Sequence, residues 1–196
     1  MSITPGSYTV EVSKDGYVTG RYNVVATTSD DVTSMALSPT LPQDEYRIIL
    51  TCGDTPRDLD SHLTLRSGGE KRLHVCYYHK SDSVDGGRIS ARLDLDDTTS
   101  FGPETVTMTV DVASLGENEL IGYFVHDYSN RSRPDSRELS LSGAFVRVYS
   151  GNGLMETYYV PRDKGAGTVW HVFDIGRNGI IPAGELSHES NSGSVG

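Results

Sequence analysis

The chain has 196 residues, with 27 acidic against 17 basic residues and a formal net charge of −10. This length suits one large domain, or one domain with part of another, and it buries enough surface to fold without a metal or a disulfide. The negative balance excludes a nucleic-acid backbone and an anionic membrane surface as partners, but it allows cation binding. No apolar run approaches the roughly 20 residues of a membrane span, so no membrane insertion is expected.

Alternation of polar and apolar residues predicts β-strands along almost the whole chain, with turn signals every 8–15 residues or so. Asp15-Gly16 marks the first turn, and Pro39 and Pro42 mark a boundary. The predicted strands are residues 7–12, 21–25, 32–37, 46–52, 59–65, 73–78, 89–95, 105–110, 120–128, 144–149, 156–160 and 169–175. This spacing predicts an all-β fold, a two-sheet antiparallel β-sandwich of Ig-like or jelly-roll-like type with extra N-terminal strands.

The N-terminal run from Pro5 to Tyr17 (PGSYTVEVSKDGY) resembles the second half of a carboxypeptidase regulatory-like, or transthyretin-like, β domain. The resemblance covers only about residues 3–38 and lacks the first strands of that family. It therefore implies a partial module at residues 1–40, of a kind that serves as a spacer in surface proteins.

Four later blocks share a second resemblance: TPRDLDSHL at 55–63, ARLDLDDTTSFGPE at 91–104, YFVHDYSN at 123–130 and WHVF at 170–173. In combination they resemble the YfaP-type secreted β-sandwich domain found in bacterial surface proteins and adhesins, over residues 44–183. Cys52 departs from the pattern, which has an aromatic residue there. The implied organisation is a sandwich at 41–184, followed by a Ser/Gly-rich flexible tail or linker at 185–196.

Two acidic segments carry the main site prediction. On a strand, Asp58, Asp60 and His62 share one face, while in Leu93-Asp94-Leu95-Asp96 the leucines point inward and the aspartates outward. If the segments meet, their hard oxygen ligands suit Ca²⁺ better than Zn²⁺. The alternative is that these carboxylates cap turns, pair with arginines or face solvent. The expected metal ligands are Asp58, Asp60, Asp94, Asp96, Asp97 and Glu104.

The remaining polar residues predict no enzyme. The six histidines lack a compact metal-ligand spacing and are interpreted as strand residues with backbone partners, and no Gly-x-Ser-x-Gly elbow is present. Cys52 and Cys76 are expected to form a disulfide between neighbouring strands, with two buried thiols as the alternative.

The predicted function follows from the resemblance and the acidic segments together. The chain is expected to be a non-enzymatic extracellular module of a surface or adhesion protein, stabilised by Ca²⁺ and binding a glycan or peptide. The expected ligand contacts are Tyr78, Tyr128 and His62. The alternative is a structural subunit that pairs with other copies by β-strand addition through its incomplete N-terminal module.

Overall fold

The computed structural model describes residues 4–27 and 37–196, and these residues are almost entirely β. The predicted all-β fold is therefore confirmed. The strands are β1 (Gly6–Val12), β2 (Gly20–Ala26), β3 (Glu45–Thr51), β4 (Leu59–Ser67), β5 (Glu70–Val75), β6 (Ser81–Val84), β7 (Ile89–Leu95), β8 (Glu104–Val110), β9 (Glu119–Asp127), β10 (Phe145–Ser150), β11 (Gly153–Tyr159), β12 (Val169–Gly176) and β13 (Gly179–Ser187). Short helical turns are α1 (Glu138–Leu141) and the 3-10 turns Asp85–Gly87, Val112–Ser114 and Ser192–Ser194.

Two antiparallel sheets pack face to face. The six-stranded sheet has the order β11-β10-β3-β8-β7-β6, and the five-stranded sheet has the order β13-β12-β9-β4-β5. Their facing sides bury Leu63, Met108, Tyr123 and Trp170, each at most 1% exposed. Residues with period-two spacing share one side of a strand, so the alternation in the sequence directly supplies this apolar layer.

The N-terminal strands form a separate two-stranded sheet. β1 and β2 pair antiparallel, and the expected Asp15-Gly16 turn is present, with Gly16 at a φ of +79° that glycine adopts without strain. The hairpin lies against the six-stranded sheet, where the Arg147 guanidinium stacks 4.4 Å from the Tyr22 ring centroid. The strand predicted at 32–37 falls almost entirely on residues outside the described ranges.

The two strands that the alternation does not predict, β6 and β13, are both edge strands. β6 is short and polar, with the sequence Ser-Asp-Ser-Val, and β13 contains Pro182. Proline and charge protect sheet edges against further pairing, and the same residues weaken the strand signal in the sequence.

Residues 188–196 do not form the flexible tail that the sequence predicted. Residues 185–187 belong to β13, and residues 188–196, here called the C-terminal strap, cross the outer side of the five-stranded sheet. Val195 is 1% exposed, and the Lys71 ammonium donates hydrogen bonds to the carbonyls of Gly193 (3.1 Å) and Val195 (2.7 Å). The physical reason is that polar side chains on the outer side of the sheet, His126 and Lys71, contact the backbone carbonyls of the strap.

Candidate functional site

A cluster of three carboxylates lies at one end of the sandwich, where the two sheets approach each other. Asp60 is near the start of β4, Glu104 is the first residue of β8, and Asp96 directly follows β7. One carboxylate oxygen from each of the three side chains can be chosen so that all three oxygens lie within 4.8 Å of one another. We call Asp60, Asp96 and Glu104 the carboxylate cluster.

A β-bulge in β7 decides which aspartate reaches this cluster. The β7–β8 register pairs Leu93 with Val106 but Leu95 with Thr105, so Asp94 is an extra residue without a cross-strand partner. The bulge reverses the alternation after Leu93, and Leu95 is 48% exposed although the sequence predicted it to point inward. Asp96 consequently points toward the cluster, whereas strict alternation would turn it away.

Glu104 joins the two sheets. β5 begins its pairing with β4 only at Leu63, which leaves the N–H of Ser61 without a strand partner on that side. The Ser61 N–H instead donates a 2.7 Å hydrogen bond to Glu104 Oε2. Glu104 is 2% exposed, so this bond lies in the interior.

The cluster has unused acceptors in a buried place. Glu104 Oε1, Asp60 Oδ2 and Asp96 Oδ1 are buried and have no hydrogen-bond partner within the described residues. A buried polar atom that forms no hydrogen bond costs free energy, about 1–3 kcal/mol in mutational series, so such atoms call for an explanation. A positively charged ligand between them would supply one.

Burial and neighbouring carboxylates raise the pKa of two members of this cluster, Asp60 and Glu104. Burial, followed by the charges of Asp58 and Asp96, raises the pKa of Asp60 to about 8. Burial also raises the pKa of Glu104 well above its usual range, and the Ser61 hydrogen bond acts in the opposite direction. Lys80 reaches Asp96 at 2.8 Å, but this ammonium is more than half exposed and screens the interior weakly.

The other predicted metal ligands lie apart from this cluster or at its rim. Asp58 is at the rim: its pKa is raised by burial and then by the charge of Asp96, and its Oδ1 is buried without a partner in the described chain. Asp94 pairs with Arg92 at 2.5 Å and accepts a hydrogen bond from Thr107 on the outer side of the sheet. Asp97 caps a turn by accepting from the N–H and Oγ1 of Thr99 at 3.0 and 2.6 Å. Asp94 and Asp97 thus match the alternative of paired or turn-capping carboxylates.

The expected disulfide is absent. Cys52 and Cys76 are both free thiols, since Cys52 follows β3 in one sheet and Cys76 follows β5 in the other. The alternative of two thiols is the correct one, and burial is the main reason that the pKa of Cys52 is raised, to about 11.

The three expected ligand contacts separate into two groups. Tyr78 and Tyr128 line a surface groove of about 340 Å³ beside the C-terminal strap, together with Tyr77 and Arg131. Contact with a glycan or peptide there stays a prediction. His62 is completely buried, because the strap and the neighbouring side chains cover its side of the sheet, so it lies beyond the reach of a surface ligand.

A group of histidines that the sequence did not predict as a site lies on the outer side of the five-stranded sheet. The Nδ1 of His62 is 2.9 Å from the Nε2 of His74, and the His62 and His126 ring centroids are 5.6 Å apart. The strap contacts the same group, since His126 Nε2 is 2.9 Å from the Glu189 carbonyl oxygen. The available signal was the spacing of His74 and Cys76, which places both side chains on one face of β5.

The comparisons with known proteins concern the fold. No family model and no curated protein sequence matches the chain. Two similar solved structures are a protein of unknown function, SAV2460 (13% identity, TM-score 0.47, 76% of this chain and 91% of that chain), and a homologue of telluride resistance protein TerD from Streptomyces coelicolor A3(2) (16% identity, TM-score 0.49, 77% of this chain and 94% of that chain). Topology places the present chain among antiparallel two-sheet β-sandwich proteins, and no activity is taken from the two structures.

These comparisons correct the predicted function. The similar structures are a TerD homologue and a protein of unknown function, not surface or adhesion proteins, and the predicted extracellular adhesion module and its alternative of a surface-assembly subunit are not kept. The expected Ca²⁺ is a separate prediction, which no comparison tests. The resemblance to YfaP-type and carboxypeptidase regulatory-like domains stays a prediction. Within residues 4–27 and 37–196, no helix is long and apolar enough to cross a bilayer.

Proposed function

We propose that the chain is a non-catalytic cation-binding β-sandwich whose carboxylate cluster holds one hard divalent ion, with Ca²⁺ as the first ion to test. The observation that carries the proposal is the pair of buried oxygens, Glu104 Oε1 and Asp60 Oδ2, without a hydrogen-bond partner in the described chain. A cation between them compensates the cost of burying them and the repulsion among the three carboxylates.

The donor set favours an oxygen-seeking ion. The cluster offers only carboxylate oxygens, with Asp58 at its rim, and such ligands suit Ca²⁺, Mg²⁺ or Mn²⁺. Ca²⁺ accepts irregular coordination with 6–8 oxygens and completes its shell with water. The three ligands come from the ends of three separate strands, which do not impose an octahedral geometry. We therefore expect the site to prefer Ca²⁺ over Mg²⁺.

Proton release accompanies the proposed binding. Asp60, with a pKa raised to about 8, is largely protonated at pH 7 until a cation binds. The ion must displace that proton, so the apparent affinity rises as the pH rises from 6 to 8.

Isothermal titration calorimetry with Ca²⁺, with Mg²⁺ in a parallel titration, tests the proposal on EDTA-treated protein. Asp96→Asn and Glu104→Gln should each weaken Ca²⁺ binding at least tenfold. The matched control is Asp94→Asn, because Asp94 is the bulged residue of β7, outside the cluster, and forms an ion pair with Arg92. Absence of binding of either ion at millimolar concentration would overturn the proposal, as would an equal loss in the Asp94→Asn control.

A further inference from the structure

A second group of potential metal ligands lies on the outer side of the five-stranded sheet and differs in chemistry from the carboxylate cluster. A ring nitrogen of His62, a ring nitrogen of His74 and the Sγ of Cys76 all lie within 4.8 Å of one another. His62 and Cys76 are completely buried, and His74 is half-buried. The group therefore offers two nitrogen ligands and one sulfur ligand on the covered face of the sheet.

The strand register builds this group. Thr64 of β4 pairs with His74 of β5, and residues two apart on a strand share a face, so His62 and Cys76 follow on the same side. The chain then reverses at once, because the backbone of Cys76 exchanges two 3.0 Å hydrogen bonds with His79. This tight turn fixes the thiol at the end of β5 next to the two imidazoles.

The two imidazoles face each other across a short gap. Their facing nitrogens, Nδ1 of His62 and Nε2 of His74, are 2.9 Å apart. Two nitrogens bound to one tetrahedral zinc ion are about 3.3 Å apart for bonds of about 2.0–2.1 Å, so a small side-chain movement admits the ion.

The carboxylate of Asp60 lies next to the imidazole of His62. His62 Nε2 is buried and has no hydrogen-bond partner in the described ranges. A ring nitrogen of His62 and a carboxylate oxygen of Asp60 lie within 4.8 Å of each other. Metal-binding histidines commonly donate their second N–H to a carboxylate, and an ion at Nδ1 would place a proton on Nε2 for that purpose.

From this arrangement we infer that His62, His74 and Cys76 form a site for a thiophilic d¹⁰ ion, Zn²⁺ in the first place, that is distinct from the carboxylate cluster. Thiolate and imidazole ligands select Zn²⁺ over Ca²⁺ and Mg²⁺. Binding releases the thiol proton of Cys76 to solvent. The inference does not depend on the proposed function, because the two sites take different ions.

The surface groove gives an ion a path to the site. Tyr78 lines the groove and is 53% exposed, and its hydroxyl acts against burial on the pKa of the Cys76 thiol. Its ring also meets the His74 ring edge-on at a centroid distance of 6.1 Å. Rotation of this one exposed side chain would connect the thiol to solvent.

Co²⁺ is the spectroscopic probe for this site. Reduced, EDTA-treated protein titrated with Co²⁺ should bind one equivalent and show a near-ultraviolet thiolate-to-cobalt band together with the strong visible bands of tetrahedral cobalt. Addition of Zn²⁺ should displace the cobalt and abolish both bands. A titration in which neither band appears, or in which Zn²⁺ leaves them unchanged, would overturn the inference.

Substitutions test whether the cobalt absorption bands arise from His74 and Cys76. Cys76→Ser should abolish the thiolate band, and His74→Gln, at a half-buried position that tolerates polar substitution, should weaken Co²⁺ binding at least tenfold. Cys52→Ser is the matched control, because it removes the other free thiol from the opposite sheet. Asp96→Asn separates this inference from the proposed function: it should leave the cobalt spectrum intact. Loss of the bands in Cys52→Ser, or their persistence in both Cys76→Ser and His74→Gln, would contradict the assignment.

Discussion

Glu104 Oε2 accepts a 2.7 Å hydrogen bond from the backbone N–H of Ser61, and this bond crosses from one sheet to the other. It makes one carboxylate oxygen structural and leaves the second, Oε1, without a partner in the described chain. Glu104 therefore has two separable roles, and substitutions can distinguish them.

We expect Glu104→Ala to lower the free energy of unfolding by about 1–3 kcal/mol in EDTA at pH 7, because the buried Ser61 N–H loses its acceptor. Glu104→Gln retains an oxygen acceptor and removes the ionisable group, so its stability should stay within about 1 kcal/mol of the wild type. Urea unfolding followed by fluorescence measures both. Equal destabilisation by the two substitutions would show that the hydrogen bond to Ser61 is not what Glu104 contributes.

Asp60 should make the cation-free protein less stable at alkaline pH. Its folded pKa of about 8 is raised above the value of about 3.9 for an unfolded chain. An acid with a raised folded pKa contributes stability that is complete below the unfolded pKa and is lost as the pH rises through the folded pKa. Between pH 7.5 and 8.5, where histidines are largely neutral in the folded and the unfolded state, the expected loss is about 0.7 kcal/mol, half of the roughly 1.4 kcal/mol per pH unit of a fully protonated group.

The Asp60→Asn variant removes this titration, and so its unfolding midpoint should vary less over the same pH window in EDTA. Saturating Ca²⁺ should flatten the wild-type profile as well, because the ion takes the place of the proton. A wild-type profile as flat in EDTA as that of Asp60→Asn would contradict the raised pKa.

The bulge at Asp94 makes two neighbouring leucines unequal. Leu93 is 7% exposed and Leu95 is 48% exposed. Leu93→Ala should therefore cost about 2–5 kcal/mol of stability, as buried leucines do, while Leu95→Ala should change it by less than about 1 kcal/mol. Thermal or urea denaturation of the two variants decides the register. Similar losses at both positions would indicate the regular alternation without a bulge.

The C-terminal strap should protect the buried histidines and Cys76. Val195→Asp places a charge where the side chain is 1% exposed, and the expected loss is about 1.5–3 kcal/mol or more from the apolar burial alone. Release of the strap should also accelerate modification of Cys76 by a disulfide reagent, measured by peptide mass spectrometry, with little change at Cys52. Val25→Asp, at a position 69% exposed, is the control and should change neither quantity. Unchanged Cys76 reactivity in Val195→Asp would indicate that the strap does not shield this thiol.

Much of the sandwich follows from period-two alternation, and the exceptions have definite causes. Strands β7 and β12 were predicted almost to the residue, because both are apolar on their inward side. The edge strands β6 and β13 escaped prediction because the polar residues and proline that protect an edge also remove the alternation.

The sequence predicted that the candidate site would consist of carboxylates, but it did not predict correctly which of the carboxylates would lie together. Asp60, Asp96 and Glu104 were among six carboxylates expected to share a site if the two acidic segments met, and these three lie together, while their binding of a metal stays a prediction. Asp94 was expected with them, and a one-residue bulge, which period-two reasoning does not foresee, turns it toward Arg92. The histidine and cysteine group was not predicted, because His62 lies 12 residues before His74 and meets His74 and Cys76 only through the pairing of β4 with β5.

Asp60 also belongs with the histidines: its carboxylate, His62 and His126 form a third group with ligand atoms within 4.8 Å of one another. The two proposed ion sites are thus joined by one pair of neighbouring side chains, Asp60 from the first site and His62 from the second. If both sites bind their ions, an ion at either one changes the charge and the proton occupancy of Asp60 and His62, and by thermodynamic reciprocity each ion alters the binding of the other by the same factor. Occupancy of one site would then depend on the pH and on the ion at the other site, as well as on the concentration of its own ion.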